Sequence, residues 1–380
     1  MYTSFEFPLF VLSSLLFITH ASCAASTGYM ANAEAAANTL QQWYDDSTGL
    51  WNTTGWWNSA NCLTALADLS AIDSNVDFND VFSTTLTAAK ESELKVRKRM
   101  ENQEPRSFYE PSNLVKRGGL PSNDFINGYY DDEGWWALAW IQVYDVTKDA
   151  RYLQTAVHIF KDMTNGWTTP CNGGIWWDKA HTYVNAIANE LFLSVAAHLA
   201  NRMSDKTTYL DWAEKEWSWF QSTGMINAEY NINDGLTSAC HNNHGIVWSY
   251  NQGVILGGLV ELSQATSNSS LIPLAVNIAT AAIHNLTDAN GILHDVCEPH
   301  CGGDASQFKG IFMRNIQKLQ QASPQPQFKT FIENNANSIW NSDRNGDKLS
   351  IVWSGPFDAP ADASTQSSAL DALVAAAAVG

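Results

Sequence analysis

The chain has 380 residues, 39 acidic against 21 basic side chains, and a formal net charge of −18. That balance excludes nucleic-acid binding, which needs clustered Lys and Arg to neutralise phosphates. Tryptophan is abundant, at 16 residues; flat indole faces suit the C–H faces of sugar rings, although a large aromatic core uses them as well.

In chain order, residues 8–18 form an apolar run too short to span a bilayer, followed by the small residues Ala21, Ser22, Cys23 and Ala24. The pattern predicts a secretory signal peptide over 1–23, leaving 24–380 as one mature domain. Secretion makes Cys62, Cys171, Cys240, Cys297 and Cys301 disulfide candidates, with Cys297–Cys301 the favoured bridge and one thiol left over. Sequons at Asn52, Asn268 and Asn285 agree with an extracellular, glycosylated chain. No later stretch reads as a membrane span. The apolar end, 369–380, is preceded by no polar spacer of the kind a glycolipid-anchor signal has, and is read as a last amphipathic helix.

Helix-period apolar patterns occupy twelve segments, near 30–46, 58–75, 79–102, 133–147, 149–165, 180–203, 206–223, 248–267, 270–285, 304–321, 325–341 and 366–379. β-branched alternation is nearly absent. The stretch 101–123 is the longest irregular piece and contains the dibasic pair Lys116-Arg117. Twelve helices without a separating linker predict an all-α fold, an (α/α)6 barrel of six helical hairpins. The most apolar segments, 180–203 and 248–267, are the expected inner helices, and the active site is expected in the cleft at one end. An open solenoid would show a clearer repeat.

The sharpest local feature is Tyr129-Tyr130-Asp131-Asp132-Glu133-Gly134-Trp135-Trp136. Two adjacent carboxyls precede a strong helix, with the first expected just outside it, so that both reach one cleft. The helix dipole favours an anion there, and crowding raises the second carboxyl's pKa. One charged and one protonated carboxyl is the division of labour that retaining glycosidases need. Plain capping produces the same dipeptide, and the Asp-rich metal motif of isoprenoid synthases would need a further acidic residue where Trp135 and Trp136 stand.

The segment 127–140 resembles the catalytic segment of glycoside hydrolase family 76. Further similar segments follow in order at 171–178, 185–191, 250–257, 308–312 and 366–371. The resemblance implies an (α/α)6 fold and retaining endo-α-1,6-mannanase activity, with Asp131 as nucleophile and Asp132 as acid/base. Tyr130, Trp135, Trp176, Trp177, Asp178, Asn189, Asn251 and Gln252 are the candidate substrate-binding residues. The aromatics would serve as platforms and the polar groups would face the sugar. Bonding among themselves is the alternative for the buried amides.

Two metal-like patterns are set aside. The run from His294 to Cys301 carries zinc-ligand types, but a disulfide fits a secreted chain better. The run from Asp343 to Asp347 lacks the glycine and closing glutamate of a calcium loop and reads as a surface turn. No cofactor or metal is expected. The partner implied is α-1,6-mannan or another mannose-containing glycan, bound by a secreted monomer that can associate with a cell wall. A transglycosidase acting on glycolipid-anchor mannose, or a non-catalytic mannan-binding protein, are the alternatives.

Overall fold

The computed structural model describes residues 28–100 and 125–380, with only the backbone over 90–100. The expected signal peptide and the Lys116-Arg117 pair lie outside the described residues. The elements are α1 (28–40), the hairpin β1 (Tyr44–Asp45) and β2 (Leu50–Trp51), α2 (Trp56–Ile72), α3 (Asn79–Met100), α4 (Tyr130–Thr147) and α5 (Ala150–Met163). The hairpin β3 (Trp167–Thr169) and β4 (Gly173–Ile175) leads to α6 (Ala186–Arg202), α7 (Lys206–Ser222), α8 (Ser249–Thr266) and α9 (Leu271–Leu286). The short α10 (Gly302–Ala305), α11 (Phe308–Ala322), α12 (Pro326–Ser342), the hairpin β5 (Arg344–Asn345) and β6 (Lys348–Leu349), and α13 (Ala363–Val379) complete the fold.

Helix-to-helix packing closes a ring: α2 lies on α4, α4 on α6, α6 on α8, α8 on α11, α11 on α13, and α13 back on α2. Outside it, α5 packs on α4, α7 on α6, α9 on α8, and α12 on α13. The architecture is the (α/α)6 barrel. An inner helix meets protein on all sides, so it loses the polar stripe of a surface helix. Burial is accordingly unbroken over Ala186–Ala200 of α6 and Ser249–Leu262 of α8, the two segments expected inside, and also over Ala363–Ala377 of α13. The last of these is a correction: the end of the chain, read as an amphipathic helix, belongs to α13, which is buried on every side from Ala363 to Ala377.

Small residues let the inner helices touch. A Cβ on Gly253 would sit 2.6 Å from the Phe312 Cα, and one on Gly310 would sit 2.6 Å from the Ser368 Cα. The inner helices also run the same way. Trp57, second in α2, stacks on Trp135 near the start of α4; Trp135 stacks on Tyr250, second in α8; and Tyr250 stacks on Phe308, first in α11. Their N-termini therefore share one end of the barrel.

Several boundaries differ from expectation. The helix expected from 180 starts at Ala186, because the Asn185 side chain caps it by accepting from the Ala188 N–H. Residues 176–185 form a loop instead. Helix α4 starts at Tyr130, so both aspartates lie inside its first turn rather than straddling its start. The three short hairpins had no alternation to reveal them. Disulfides join Cys171 to Cys240 and Cys297 to Cys301, leaving Cys62 as the buried free thiol. Asn345-Gly346 forms the turn of the exposed β5–β6 hairpin, as the turn reading anticipated. More than half of the tryptophans, among them Trp51, Trp56, Trp136, Trp140 and Trp353, are core residues. No helix among the described residues is long and apolar enough to cross a membrane.

Two buried glutamates carry a thermodynamic consequence. Glu190 in α6 and Glu216 in α7 are fully buried, and neither carboxyl has a hydrogen-bond partner among the described residues. Burial pushes both well above the usual carboxylate range. Each is protonated in the folded state at pH values where the unfolded chain has released its proton. The stability they allow is complete below the unfolded pKa and is lost as pH rises through the folded one. His198, lowered to about 4 by burial, acts in the opposite sense only below its ordinary value of 6.5. Thermal melts should therefore show Tm falling as pH rises above 6.5, where His198 no longer opposes, with Glu216→Gln flattening the slope. An unchanged slope in that variant would contradict the assignment.

Candidate active site

The N-terminus of α4 is built by a loop from the next hairpin. The first helical N–H, that of Tyr130, donates to the Trp177 carbonyl at 2.9 Å, the Lys179 N–H donates to the Gly128 carbonyl at 2.9 Å, and Tyr129 bridges Asp178. Loop and helix start are thus one unit. Lys179 fastens it further, its Nζ 2.7 Å from Glu133 Oε1 and 2.6 Å from Asp162 Oδ2. Burial pushes the Glu133 carboxyl upward, and Lys179 pulls it back. Glu133, inside the barrel wall, is an anchor beneath the pair.

Asp131 and Asp132 occupy the second and third positions of the helix and are half-buried. Their surroundings differ. Asp131 Oδ2 accepts from the Trp177 indole N–H at 2.9 Å, while Oδ1 has no hydrogen-bond partner among the described residues. Burial raises Asp131 to about 7; the indole and the backbone N–H groups of Asp132 and of Asp131 itself hold it down, and the charge of Asp304 raises it further. Asp132 Oδ2 accepts from Asn127 Nδ2 at 2.6 Å. Burial and then the Asp131 charge push Asp132 well above the usual range. Of the two, Asp131 keeps its charge more easily, because free helix N–H groups and an indole stabilise an anion.

The other sequence candidates divide. Trp177 meets the pair through its N–H edge, not through a stacking face. Trp176 lies parallel to the His181 ring at 5.0 Å. Asp178 is buried, and its two oxygens accept from the Thr182 N–H and hydroxyl, shaping the loop. Tyr130 is only 3% exposed and lies beneath the site. Trp135 is equally buried, stacked between Trp57 and Tyr250.

Direct sugar contact is replaced by fastening at two amides. Asn189 Oδ1 accepts from the Ile175 N–H at 2.7 Å and its Nδ2 donates to the Ile175 and Asn185 carbonyls. Gln252 does the same for Ile232. Both are fully buried with their amide groups spent on backbone, which leaves nothing for a ligand. Asn251 is equally buried, but neither amide atom has a partner among the described residues. The sequence reading missed Asn127, Trp57 and Asp304. Trp57 Nε1 lies 3.4 Å from Asp304 Oδ1, and the Asp304 charge bears on both members of the pair.

The sequence profile described as glycosyl hydrolase family 76 matches residues 26–379. The chain belongs to this family. Among family 76 relatives, the Candida albicans protein named mannan endo-1,6-alpha-mannosidase DFG5 is 28% identical over 225 residues, covering 54% of this chain and 50% of its own length. The chain spans between 50% and 62% of the first curated relatives it matches. The fold is shared with an inactive variant, two consecutive aspartates replaced, of the alpha-1,6-mannanase GH76A of Salegentibacter sp. HEL1_6 in complex with alpha-1,6-mannotriose. That match has a TM-score of 0.74 at 20% identity and covers 93% of this chain and 100% of the other. Dfg5 from Chaetomium thermophilum, in complex with glucosamine, matches with a TM-score of 0.75 at 17% identity, covering 92% and 90%.

The geometry makes a direct test available without substrate. Replacing Trp177 by Phe removes a hydrogen bond to the charged form of Asp131, so its pKa should move further up, by about one unit given roughly 1.5–3 kcal/mol for such bonds in full and partial exposure here. A carbon-13 titration of the aspartate carboxyls reads this. A titration identical to the parent's would mean that the indole does not hold the anion.

Proposed function

We propose that the protein is a secreted retaining endo-α-1,6-mannanase in which Asp131 is the nucleophile and Asp132 the acid/base. The observation that carries the reading is the unequal pair in one helical turn: Asp131 accepts from the Trp177 indole at 2.9 Å and keeps an unpartnered Oδ1, while Asp132 accepts from Asn127 at 2.6 Å and is pushed upward by burial and then by the Asp131 charge. Family membership supports it, as do the names of the curated relatives and the loss of activity in a structural neighbour whose two consecutive aspartates are replaced.

The chemistry follows from the positions. The unpartnered Oδ1 of Asp131 attacks the anomeric carbon as the glycosidic C–O bond breaks, and Asp132 gives its proton to the departing oxygen. Water then attacks the glycosyl-enzyme ester, Asp132 takes the water's proton, and Asp131 leaves as a carboxylate. Two inversions restore the α configuration. Adjacent carboxyls leave no room for a water between them and the sugar, which disfavours single displacement. Asn127 orients Asp132. Two disulfides and the exposed sequon residues Asn268 and Asn285 support an extracellular setting.

Asp131→Asn and Asp132→Asn should each lower turnover on linear α-1,6-mannan by several orders of magnitude without moving the melting temperature downward. Reducing ends released at near-parental rates by either variant would sink the assignment. Proton NMR of the first-formed product should show the α anomer; β-mannose as the first product would exclude double displacement.

A further inference from the structure

We propose that Trp57 and Asp304 form a second mannosyl-binding subsite, on the side of α4 away from the Trp177 loop. The inference rests on the mannanase reading and adds the place where the chain is gripped beside the bond to be cut.

Asp304 differs from the protein's structural carboxylates. Asp178 and Asp295 are buried with both oxygens engaged: Asp178 by the Thr182 N–H and hydroxyl, Asp295 by the Ser249 N–H at 3.0 Å and hydroxyl at 2.6 Å. Asp304 is exposed to solvent, and its side-chain contact is the long one from the Trp57 indole, at 3.4 Å. Its backbone, by contrast, is tightly held. The Cys297–Cys301 disulfide closes the preceding turn, Asn58 Nδ2 donates to the Gly303 carbonyl at 3.2 Å, and the Ser306 hydroxyl donates to the Gly302 carbonyl at 2.5 Å. A fixed backbone under an open carboxylate is what a binding group needs: little ordering cost and spare acceptor capacity.

Trp57 supplies the other half of sugar recognition. It is half-buried, lies near-parallel to Trp135 with ring centroids 5.7 Å apart, and presents its N–H edge to Asp304. An aromatic surface meets the C–H face of a mannosyl ring while the neighbouring carboxylate accepts from two of its hydroxyls. Because α2 and α6 flank α4 on opposite sides of the ring, this subsite and the Trp177 loop would bracket the carboxylate pair. The Asp304 charge bears on Asp131 and Asp132 of α4, and Arg314 lies across the Trp135 ring at 6.0 Å.

The test is steady-state kinetics of parent, Asp304→Ala, Asp304→Asn and Trp57→Phe on linear α-1,6-mannotetraose, each at its own pH optimum so that altered titration of the pair is separated from binding. Asp304→Ala should raise KM roughly tenfold and Trp57→Phe roughly threefold, with kcat within about twofold, the signature of binding shared by ground and transition states. Asp304 is exposed, so its variants are expected to fold. A pH profile displaced in Asp304→Asn with KM unchanged would assign a purely electrostatic role and overturn the subsite, as would an unchanged KM in both Asp304→Ala and Trp57→Phe. A parent that releases no reducing ends from α-1,6-mannan would remove the mannanase reading and the subsite with it. An active parent with indifferent variants would remove the subsite alone.

Discussion

A barrel of helices has a seam, where the first inner helix must meet the last, and everything at the mouth depends on how that seam is closed. Here α11 spans it. Gln307, just before α11, exchanges hydrogen bonds with Asn58 of α2, accepting from its Nδ2 at 2.9 Å and donating to its carbonyl at 3.0 Å, and also donates to the Ser367 hydroxyl of α13 at 2.7 Å. Deeper in, Arg314 donates to Asp371 of α13 at 3.0 Å and to Asn61 of α2. Buried polar groups of this kind contribute little net stability but are costly when mispaired. They fix the register of three helices whose small residues would otherwise slide.

That register sets the mouth. Helices running the same way bring their free N–H ends to one rim, and the carboxylate pair sits where those ends favour an anion. The same rim is lined by acidic groups, so the site balances an attractive backbone against mutual carboxylate repulsion. Asp131 resolves the balance by accepting from an indole beside the helix N–H groups, while burial and the Asp131 charge push Asp132 upward. The loop that brings the indole is itself tied to the helix it serves, through Tyr130 and Lys179.

Much of this was legible in the sequence, for physical reasons. Inner helices must be apolar or small on every side, so 180–203 and 248–267 stood out, and the adjacent aspartates before a helix were visible without a structure. What could not be read was partnership. An asparagine in an apolar helix looks alike whether it faces a ligand or ties down a hairpin, and Asn189 and Gln252 bond the backbone of Ile175 and Ile232. Trp135 carries the right chemistry for a platform but has Trp57 and Tyr250 stacked against it. Trp57 and Asp304 lie 247 positions apart and meet only because the ring closes.

The disulfides are distributed unevenly. Cys171–Cys240 links the β3–β4 hairpin to the loop before α8, and Cys297–Cys301 precedes Asp304; both belong to mouth loops, whereas the buried wall cysteine, Cys62, is unpaired. Among the described residues no disulfide ties the helical wall, and both bridges shape the rim. A chain made in a reducing cytosol could be helical, soluble and cooperative in unfolding, yet have a slack entrance. For such a fold, helix content is a poor certificate of competence, because forming the two disulfides matures the cleft rather than the barrel.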